Sequence, residues 1–297
     1  MNGKTIPSSG AVTTAGRKKK KFEWGYLLLA IGIGYIVLML CVAIYTMIAQ
    51  SFGLYNYLGE SRFTLDFWKG VFNKRFWDSA ALSFRVAVLS SLIAMLITYP
   101  LAVYLQKQKF GKSIFAIIRI PYFIPALVAA FLIVNVIDYH GIVNVILVGL
   151  GIVKEPLALR NDDNAIGLII IQVWKNIPFE MIIMYSAIES IRKDVIDAAR
   201  NLGANRLRVL TRVIIPITIP SAFMAIIMVF IGIFNDFAIS STAGPLYPTT
   251  LAGLMKAYAF SYYDWNTAAC VGVMTLVFTI LCVFGYTKLQ KFIERKL

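Results

Sequence analysis

The chain has 297 residues, of which 59% are hydrophobic and only 15% charged, and its mean hydropathy is +0.74. A soluble globular protein is roughly 45–50% apolar and about 25% charged, so this composition excludes a water-soluble fold, and it excludes intrinsic disorder as well. The net charge is +14, and whether that surplus indicates nucleic-acid binding depends on where the cations lie along the chain.

Six apolar stretches are long enough, at about 20 residues each, to cross a hydrocarbon core of about 30 Å. The first is too long for the apolar segment of a signal peptide and has no small-residue cleavage site, so it is interpreted as a retained span. The sequence therefore predicts an all-α membrane protein with one transmembrane domain over residues 25–290. The predicted spans are residues 25–50, 80–105, 113–137, 165–188, 213–234 and 267–287.

Three further segments lie outside these spans. Residues 1–24 form a basic tail that we expect to be disordered, and residues 291–297 form a second basic tail. The apolar run at residues 141–153 is too short to cross a membrane. We predict that it forms a short re-entrant or interfacial helix.

The Lys and Arg residues are divided unequally between the two sides of the membrane. Six spans place both termini on one side, together with the loops after the second and fourth spans, and these segments hold 19 of the 29 cations, against 7 on the other side. Cationic loops resist translocation, so the side with 19 is predicted to be cytoplasmic. The net charge is then a topology signal, and no nucleic-acid partner is expected.

We expect no catalytic residue, metal site or cofactor in this chain. Cys41, Cys270 and Cys282 fall within predicted spans without ligand-like spacing, and His140 is the only histidine. The sequence also lacks a Gly-rich phosphate loop and a Ser/His/Asp set. Catalysis by this chain is therefore not predicted.

The loop between the fourth and fifth spans has a pattern of its own. Residues 197–199 (Asp-Ala-Ala) lie in a short helical pattern, Gly203 interrupts it, and a second helical pattern over residues 205–214 ends at Pro216. Glycine tolerates positive φ, so two short helices can meet here at an angle. The loop is either a basic segment lying on anionic lipid or a docking element for a cytoplasmic partner.

This loop resembles the EAA loop of permeases in binding-protein-dependent ABC importers, whose motif is E-A-A-x3-G-x9-I-x-L-P. The spacing fits throughout, and the three substitutions (Asp for Glu, Val for Ile, Ile for Leu) preserve chemical type. The residues at the motif positions are Asp197, Ala198, Ala199, Gly203, Val213, Ile215 and Pro216.

Other segments resemble the same family. Residues 98–102 (Thr-Tyr-Pro-Leu-Ala) are similar to its Y-P-x-A turn, and residues 141–151 match its G-x-x-N-x-x-L-x-x-L-G pattern. Residues 243–269 resemble its outer loop before the last span. The resemblance extends over residues 25–290.

The resemblance implies the type I ABC importer permease fold, with six transmembrane helices, both termini cytoplasmic and a coupling helix in the loop at residues 190–216. It also implies partners: a second permease subunit (expected to be a different chain), two ATPase subunits that bind ATP and Mg²⁺, an external solute-binding protein, and the lipid of a bacterial plasma membrane. Closure of the ATPase pair is expected to push the coupling helices together and to switch the spans between inward-facing and outward-facing states.

Within this hypothesis, each part of the coupling loop has a role. Gly203 sets the bend, Ala198 and Ala199 provide close contact, and Asp197 caps a helix or pairs with a basic group of the ATPase subunit. The chain itself is expected to hydrolyse nothing.

Polar residues inside spans mark the expected solute path, because the membrane makes them costly. Pro178 in the fourth span lacks an N–H and frees carbonyl groups near Asn176. For the two acidic residues, Glu180 and Asp236, the alternative role is a structural ion pair or an interface contact. The predicted path residues are Asn176, Phe179, Glu180, Asn235 and Asp236.

Several segments look most similar to permeases of the spermidine/putrescine group. Acidic groups together with 15 Tyr and 20 Phe suit a cationic amine through charge pairing and cation–π contact. We therefore expect a polyamine, with iron(III), thiamine, a phosphonate or a sugar as alternatives. The competing classes are a stand-alone channel or secondary transporter, which leaves the EAA-like loop unexplained, and a membrane-embedded enzyme, for which paired catalytic groups are missing.

Overall fold

The structure is a computed structural model and describes residues 24–57 and 59–295. The predicted tails at residues 1–23 and 296–297 lie outside the described residues. Within the described part, every regular element is helical. The α-helices are α1 (Trp24–Ser51), α2 (Asp66–Val71), α3 (Lys74–Leu105), α4 (Gly111–Ile118), α5 (Ala126–Ile137), α6 (Ile142–Gly149), α7 (Ile166–Glu189), α8 (Lys193–Asn201), α9 (Arg206–Val209), α10 (Ile215–Phe234), α11 (Ser240–Ala243), α12 (Leu251–Lys256) and α13 (Trp265–Glu294).

Six helical segments are long and apolar enough to cross a membrane, which confirms the predicted number of spans. Five of the spans have bounds within seven residues of the predicted ones, whereas the third starts 13 and ends 12 residues later than predicted. The segments are Gly32–Ser51, Lys74–Leu105, Ala126–Gly149, Ile166–Glu189, Arg206–Phe234 and Trp265–Ile293.

Most of α1 belongs to a structural unit that ends at Tyr45, and the remaining described residues form a second unit. Every residue from Gly32 to Tyr45 is exposed, including large apolar ones such as Ile36 and Leu40. A helix that is apolar on all its faces suits surroundings of lipid or of another chain.

The second unit is built around α3, α7 and α10, which pack against one another. Small residues of α3, among them Ser83, Ala87 and Ala94, are buried and allow the neighbouring helices to approach closely. The hydroxyl groups of Tyr99 and Thr218 share a hydrogen bond of 2.7 Å that links α3 to α10.

The predicted third span at residues 113–137 is broken. The chain forms α4, then a 3₁₀ turn (Ile120–Phe123), then α5, and α5 continues with α6 as the membrane-crossing segment. Pro121 and Pro125 explain the break, because proline lacks an N–H and disfavours a helical residue before it. A short helix is present within residues 141–153 as α6, but it belongs to the membrane-crossing segment Ala126–Gly149, so the predicted re-entrant or interfacial position is not confirmed.

The predicted end of a helix at Pro216 is wrong. α9 continues through a π-helical turn (Leu210–Ile214) directly into α10, and Pro216 lies in the first turn of α10. In this turn the Ile215 N–H reaches back to the Leu210 carbonyl. Pro216 cannot donate within this continuous helix, and the wider π-helical turn just before it accommodates the missing N–H, so the helix continues.

Candidate functional site

The loop at residues 190–216 turns at Gly203, whose φ is +82°. The Gly203 N–H donates to the Arg200 carbonyl at 2.9 Å, and the Ala204 N–H donates to the Ala199 carbonyl at 3.0 Å. This pair of bonds is the Schellman arrangement, in which a glycine in the left-handed region ends a helix. The Asn205 side chain then accepts from the Arg208 N–H at 2.8 Å and begins α9. The local sequence therefore fixes the bend between α8 and α9.

The Asp-Ala-Ala residues of α8 divide between two faces. Asp197 and Ala198 are exposed, whereas Ala199 is half-buried and packs with Ile196 against the apolar cluster formed with α3 and α7. Asp197 lies 3.5 Å from Arg200 in an exposed ion pair, which contributes little to stability. Asp197 and Ala198 are thus available to a partner, and Ala199 holds α8 to the rest of the chain.

Two large apolar side chains stand out at the turn. Leu202 is 89% exposed and Leu207 is 66% exposed. Together with Asp197, Ala198 and Gly203 they form an uncovered surface on the loop, which we call the loop tip. Exposed apolar residues that lie together can be covered by another protein or by lipid.

The rest of the predicted coupling set lies elsewhere. Val213, Ile215 and Pro216 are half-buried in the π-helical turn and the first turn of α10. They join the loop to a membrane-crossing helix and are not part of the loop tip. The seven motif residues therefore form two groups, one exposed and one structural.

An ion pair at the start of α8 shapes the electrostatics of the loop. The Arg192 guanidinium donates to both carboxylate oxygens of Asp194, with 3.1 Å from Nε to Oδ1. This hydrogen bonding lowers the pKa of the Asp194 carboxyl. Asp194 is therefore held ionised in the first turn of α8, where a negative charge suits the helix dipole.

The predicted path residues centre on α7. A cavity of about 230 Å³ is lined by Tyr122, Lys175, Asn176, Phe179, Met228 and Val229. Two of the five predicted path residues, Asn176 and Phe179, thus line one cavity. The Asn176 amide donates to the Gln172 carbonyl at 2.8 Å, so its side chain is held against its own helix.

Lys175 connects this cavity to the broken third span. Its ammonium donates to the carbonyl oxygens of Pro121 (2.7 Å), Tyr122 (3.3 Å) and Ile124. These three bonds use all three ammonium donors and join Lys175 to carbonyl groups at the break, of which that of Pro121 also accepts from the Ile124 N–H at 3.3 Å. Lys175 therefore holds Tyr122 at the cavity wall.

The other three predicted path residues lie outside that cavity. Glu180 is fully buried, and neither of its carboxylate oxygens has a hydrogen-bond partner among the described residues. Asp236 accepts from Gln172 Nε2 (3.0 Å) and from the N–H groups of Ile239 and Ser240, which orders the start of α11. Asn235 is exposed and contacts Thr279 of α13 at 3.3 Å.

Sequence reasoning missed several members of this site. Tyr122 and Met228 lie outside the polar residues on which the prediction rests, and Lys175 is a polar residue of the fourth span that is absent from the predicted path set. The pair Pro121 and Pro125, which breaks the helix on both sides of Tyr122, is the sequence signal that could have pointed there.

Asn144 lies in α6, beyond the C-terminal end of α5, and binds the segment that follows α6. Its amide group donates to the carbonyls of Asp138 and Leu157, both at 2.9 Å, and its Oδ1 accepts from the Leu157 N–H at 2.8 Å. Gly141 is needed beside it, since an added Cβ would lie 2.5 Å from the Val136 carbonyl oxygen. The Gly and Asn of the sequence pattern at residues 141–151 are therefore structural.

Among the described residues, no three His, Cys, Asp or Glu side chains converge into a group that could hold a metal ion. The arrangement instead provides an exposed loop tip at one end of the bundle and a polar, aromatic cavity between helices.

Comparison with known proteins agrees with this arrangement. Residues 87–297 match the family described as "Binding-protein-dependent transport system inner membrane component". The chain is 25% identical over 235 residues to the spermidine/putrescine transport system permease protein PotB of Haemophilus influenzae, covering 78% of this chain and 82% of that protein. It is 24% identical over 236 residues to PotB of Escherichia coli, covering 79% and 85%.

A crystal structure supports the same assignment of fold. A bacterial ABC transporter involved in the import of the acidic polysaccharide alginate aligns with a TM-score of 0.75 at 19% identity, over 90% of this chain and 95% of that one. The chain belongs to the family named above and is a permease subunit of a binding-protein-dependent ABC importer. The predicted type I permease fold with six membrane-crossing helices is confirmed.

Proposed function

We propose that this permease carries a polyamine such as spermidine or putrescine across a bacterial plasma membrane. It works with a second permease chain, two ATPase subunits that bind ATP and Mg²⁺, and an external solute-binding protein. The similarity to two PotB proteins over about four-fifths of the chain carries the proposal.

The proposed orientation has both termini in the cytoplasm. Two contacts support placing the loops after the second and fourth spans at the same end of the bundle. Gln106 Nε2 donates to the Tyr185 carbonyl at 3.0 Å, and Lys112 lies 3.5 Å from Glu189. That end carries the cation-rich loops, and cationic loops remain in the cytoplasm.

In this proposal the loop tip is the contact with an ATPase subunit. Asp197, Ala198 and Leu202 enter a cleft of that subunit, and the bend at Gly203 transmits its movement through α9 to α10. The continuous helical connection from α9 through the π-helical turn into α10 supports this role, because a movement of the loop tip then acts directly on a membrane-crossing helix.

The cavity beside α7 is the proposed part of the solute path in this chain. Its volume of about 230 Å³ is below the roughly 300–1,000 Å³ of a complete small-molecule site, so the second permease would supply the remaining wall. Tyr122 and Phe179 stack with their ring centroids 6.1 Å apart and present aromatic faces that attract an amine cation. The Lys175 ammonium is occupied by three carbonyl groups, which reduces its repulsion of such a solute.

The test is reconstitution of the whole complex with its binding protein. ATPase stimulation is measured with the binding protein loaded in turn with polyamine, iron(III), thiamine, phosphonate and sugar. Stimulation and uptake are expected with polyamine, and stimulation by another solute alone would overturn the proposed substrate. Transport in the absence of any ATPase subunit would instead support a stand-alone transporter.

A pair of neighbouring aromatic residues gives a matched control for the cavity. Both side chains are exposed, but Tyr122 lines the cavity and Phe123 lies outside its lining. Tyr122→Leu is expected to weaken polyamine-dependent uptake by about 2- to 30-fold, the range given by one cation–π contact of roughly 0.5–2 kcal/mol. Phe123→Leu is expected to leave uptake unchanged, and equal effects of the two variants would argue against the cavity as the path.

A further inference from the structure

A second and larger cavity lies at the end of the bundle that carries the loop at residues 190–216. Its volume is about 910 Å³, and it is enclosed by the ends of α3 and α7 together with α8 and α9. It shares no lining residue with the cavity beside α7. Neither the proposed solute path nor the loop tip uses this space.

The walls of this cavity are strongly cationic. Five cations line it against the single carboxylate of Glu189: Lys107, Lys112, Lys193, Arg200 and Arg206. Lys112 and Arg200 each face a carboxylate at 3.5 Å, whereas Lys107, Lys193 and Arg206 have no ion-pair partner among residues 24–57 and 59–295. The cavity therefore has an unbalanced positive charge.

The inner part of the same cavity is apolar. Val103, Ile188, Ile191 and Val209 line it, and all four side chains are buried in the surrounding structure. Val103 and Ile188 belong to the last turns of α3 and α7, so the apolar lining begins where two membrane-crossing helices end. Lys107 and Lys193 follow those two helix ends closely in the chain, so cationic groups adjoin the apolar lining.

We propose that this cavity binds the headgroup of an anionic phospholipid of the inner leaflet. The phosphate groups contact Lys107, Lys193 and Arg206, and the upper acyl chains contact the apolar lining. Basic pockets between membrane helices on the cytoplasmic side have the chemistry that recognises such headgroups. The inference rests on the cytoplasmic orientation proposed above, because the inner leaflet is the one at this end of the bundle in that orientation.

An amphiphile explains both halves of the lining. A free phosphate or a nucleotide would use the cations but would leave the apolar lining in water, and a purely apolar ligand would leave the cations without a partner. A lipid in this place would contact α8 and α9 as well as α3 and α7. It would therefore brace the loop at residues 190–216 against the membrane-crossing helices.

The chain offers a matched set of charge variants. The test variant combines Lys107→Gln, Lys193→Gln and Arg206→Gln. The control combines Lys109→Gln, Arg208→Gln and Arg212→Gln, which removes three cations from the same two loops but from positions outside the cavity lining.

The measurement is retention of lipid by the full complex. The complex is extracted from vesicles of phosphatidylglycerol and phosphatidylethanolamine, and the bound anionic lipid is counted by native mass spectrometry. Each cation near a membrane surface changes lipid affinity about fivefold, so the test variant is expected to bind phosphatidylglycerol on the order of a hundredfold more weakly. The control variant is expected to retain it.

Three outcomes would overturn the proposal. Equal loss in both variants would mean that general surface charge holds the lipid, and equal retention in both would mean that the lipid binds elsewhere. Displacement of the lipid by inorganic phosphate or ATP, with binding of either in lipid-free detergent, would assign the cavity to a soluble phosphate compound.

A separate measurement distinguishes failure of the orientation from failure of the cavity. In intact cells, Gln108→Cys is expected to react with a membrane-impermeant maleimide only after the membrane is opened. Labelling of intact cells would contradict the proposed orientation. The solute test with loaded binding protein does not depend on lipid retention, so failure of the proposed substrate can be distinguished from failure of the lipid site.

Discussion

Substitution of Gly203 tests whether the bend between α8 and α9 transmits movement. The φ of +82° lies in the left-handed region, where the conformation costs an L-residue with a Cβ about 1–2 kcal/mol of free energy. An added Cβ would meet no heavy atom within 4 Å, so the cost within the chain is conformational and not steric. Gly203→Ala is therefore expected to shift the loop away from its bent form by about 5- to 30-fold.

Four variants separate conformation, size and charge. Asn is tolerated in the left-handed region, so Gly203→Asn is expected to retain more coupling than Gly203→Ala, although Asn is larger. Gly203→Val is expected to be worse than Ala, because a β-branched residue fits this region least well. Gly203→Asp is expected to abolish transport, because it adds a negative charge at the surface proposed to enter the ATPase subunit.

The assay is ATPase activity of the reconstituted complex stimulated by loaded binding protein, together with solute uptake. Membrane insertion and complex assembly are measured in parallel and are expected to be intact for all four variants. Unchanged uptake in Gly203→Asp would contradict the coupling role of the loop. If Asn were as harmful as Val, the conformational argument would fail, and close packing against the partner would be the reason for glycine.

Three further predictions concern the frame around the site. Asn144→Ala removes three hydrogen bonds from a buried position and leaves the Leu157 N–H unpaired, so a loss of about 2–3 kcal/mol is expected in the thermal unfolding of the purified complex. Gly167→Ala is expected to prevent assembly, since its Cβ would lie 1.8 Å from the Leu159 carbonyl oxygen, whereas Gly149→Ala has open space and is expected to assemble normally by size-exclusion chromatography. Lys175→Met removes the ammonium donor from the carbonyls of Tyr122 and Ile124, whereas the Pro121 carbonyl keeps the Ile124 N–H, and the variant is expected to have a lower unfolding temperature and lower uptake. Lys175→Arg is expected to preserve part of both, and full activity of the Met variant would show that these hydrogen bonds are dispensable.

The membrane-crossing helices were predictable because their signal is local. A run of about 20 apolar residues in lipid forms a helix, because a helix pairs its backbone hydrogen-bonding groups internally. Hydropathy alone therefore gives the number of membrane-crossing helices. The broken third span was not predicted, although both causes, Pro121 and Pro125, are visible in the sequence. The continuation of the helix past Pro216 was also missed, because it depends on the register of a π-helical turn.

The grouping of the predicted path residues was not predictable from the sequence. Asn176 and Phe179 line the cavity beside α7, but Glu180 is buried without a partner among the described residues, and Asp236 orders the start of α11. Polarity within a span indicates that a residue has a role, and it does not indicate which way the side chain points. That direction depends on which helices pack against α7.

The sequence by itself determined the six spans, the bend at Gly203 and the family motif, since each depends on residues within a few positions of one another. The tertiary structure decided which groups the Lys175 ammonium contacts, because its three carbonyl partners lie about fifty residues earlier in the chain. It also brought Lys107 and Arg206 to one cavity, across two membrane-crossing helices. Contacts of this kind are fixed by the packing of α3 against α7 and α10, and no local pattern of residues specifies them.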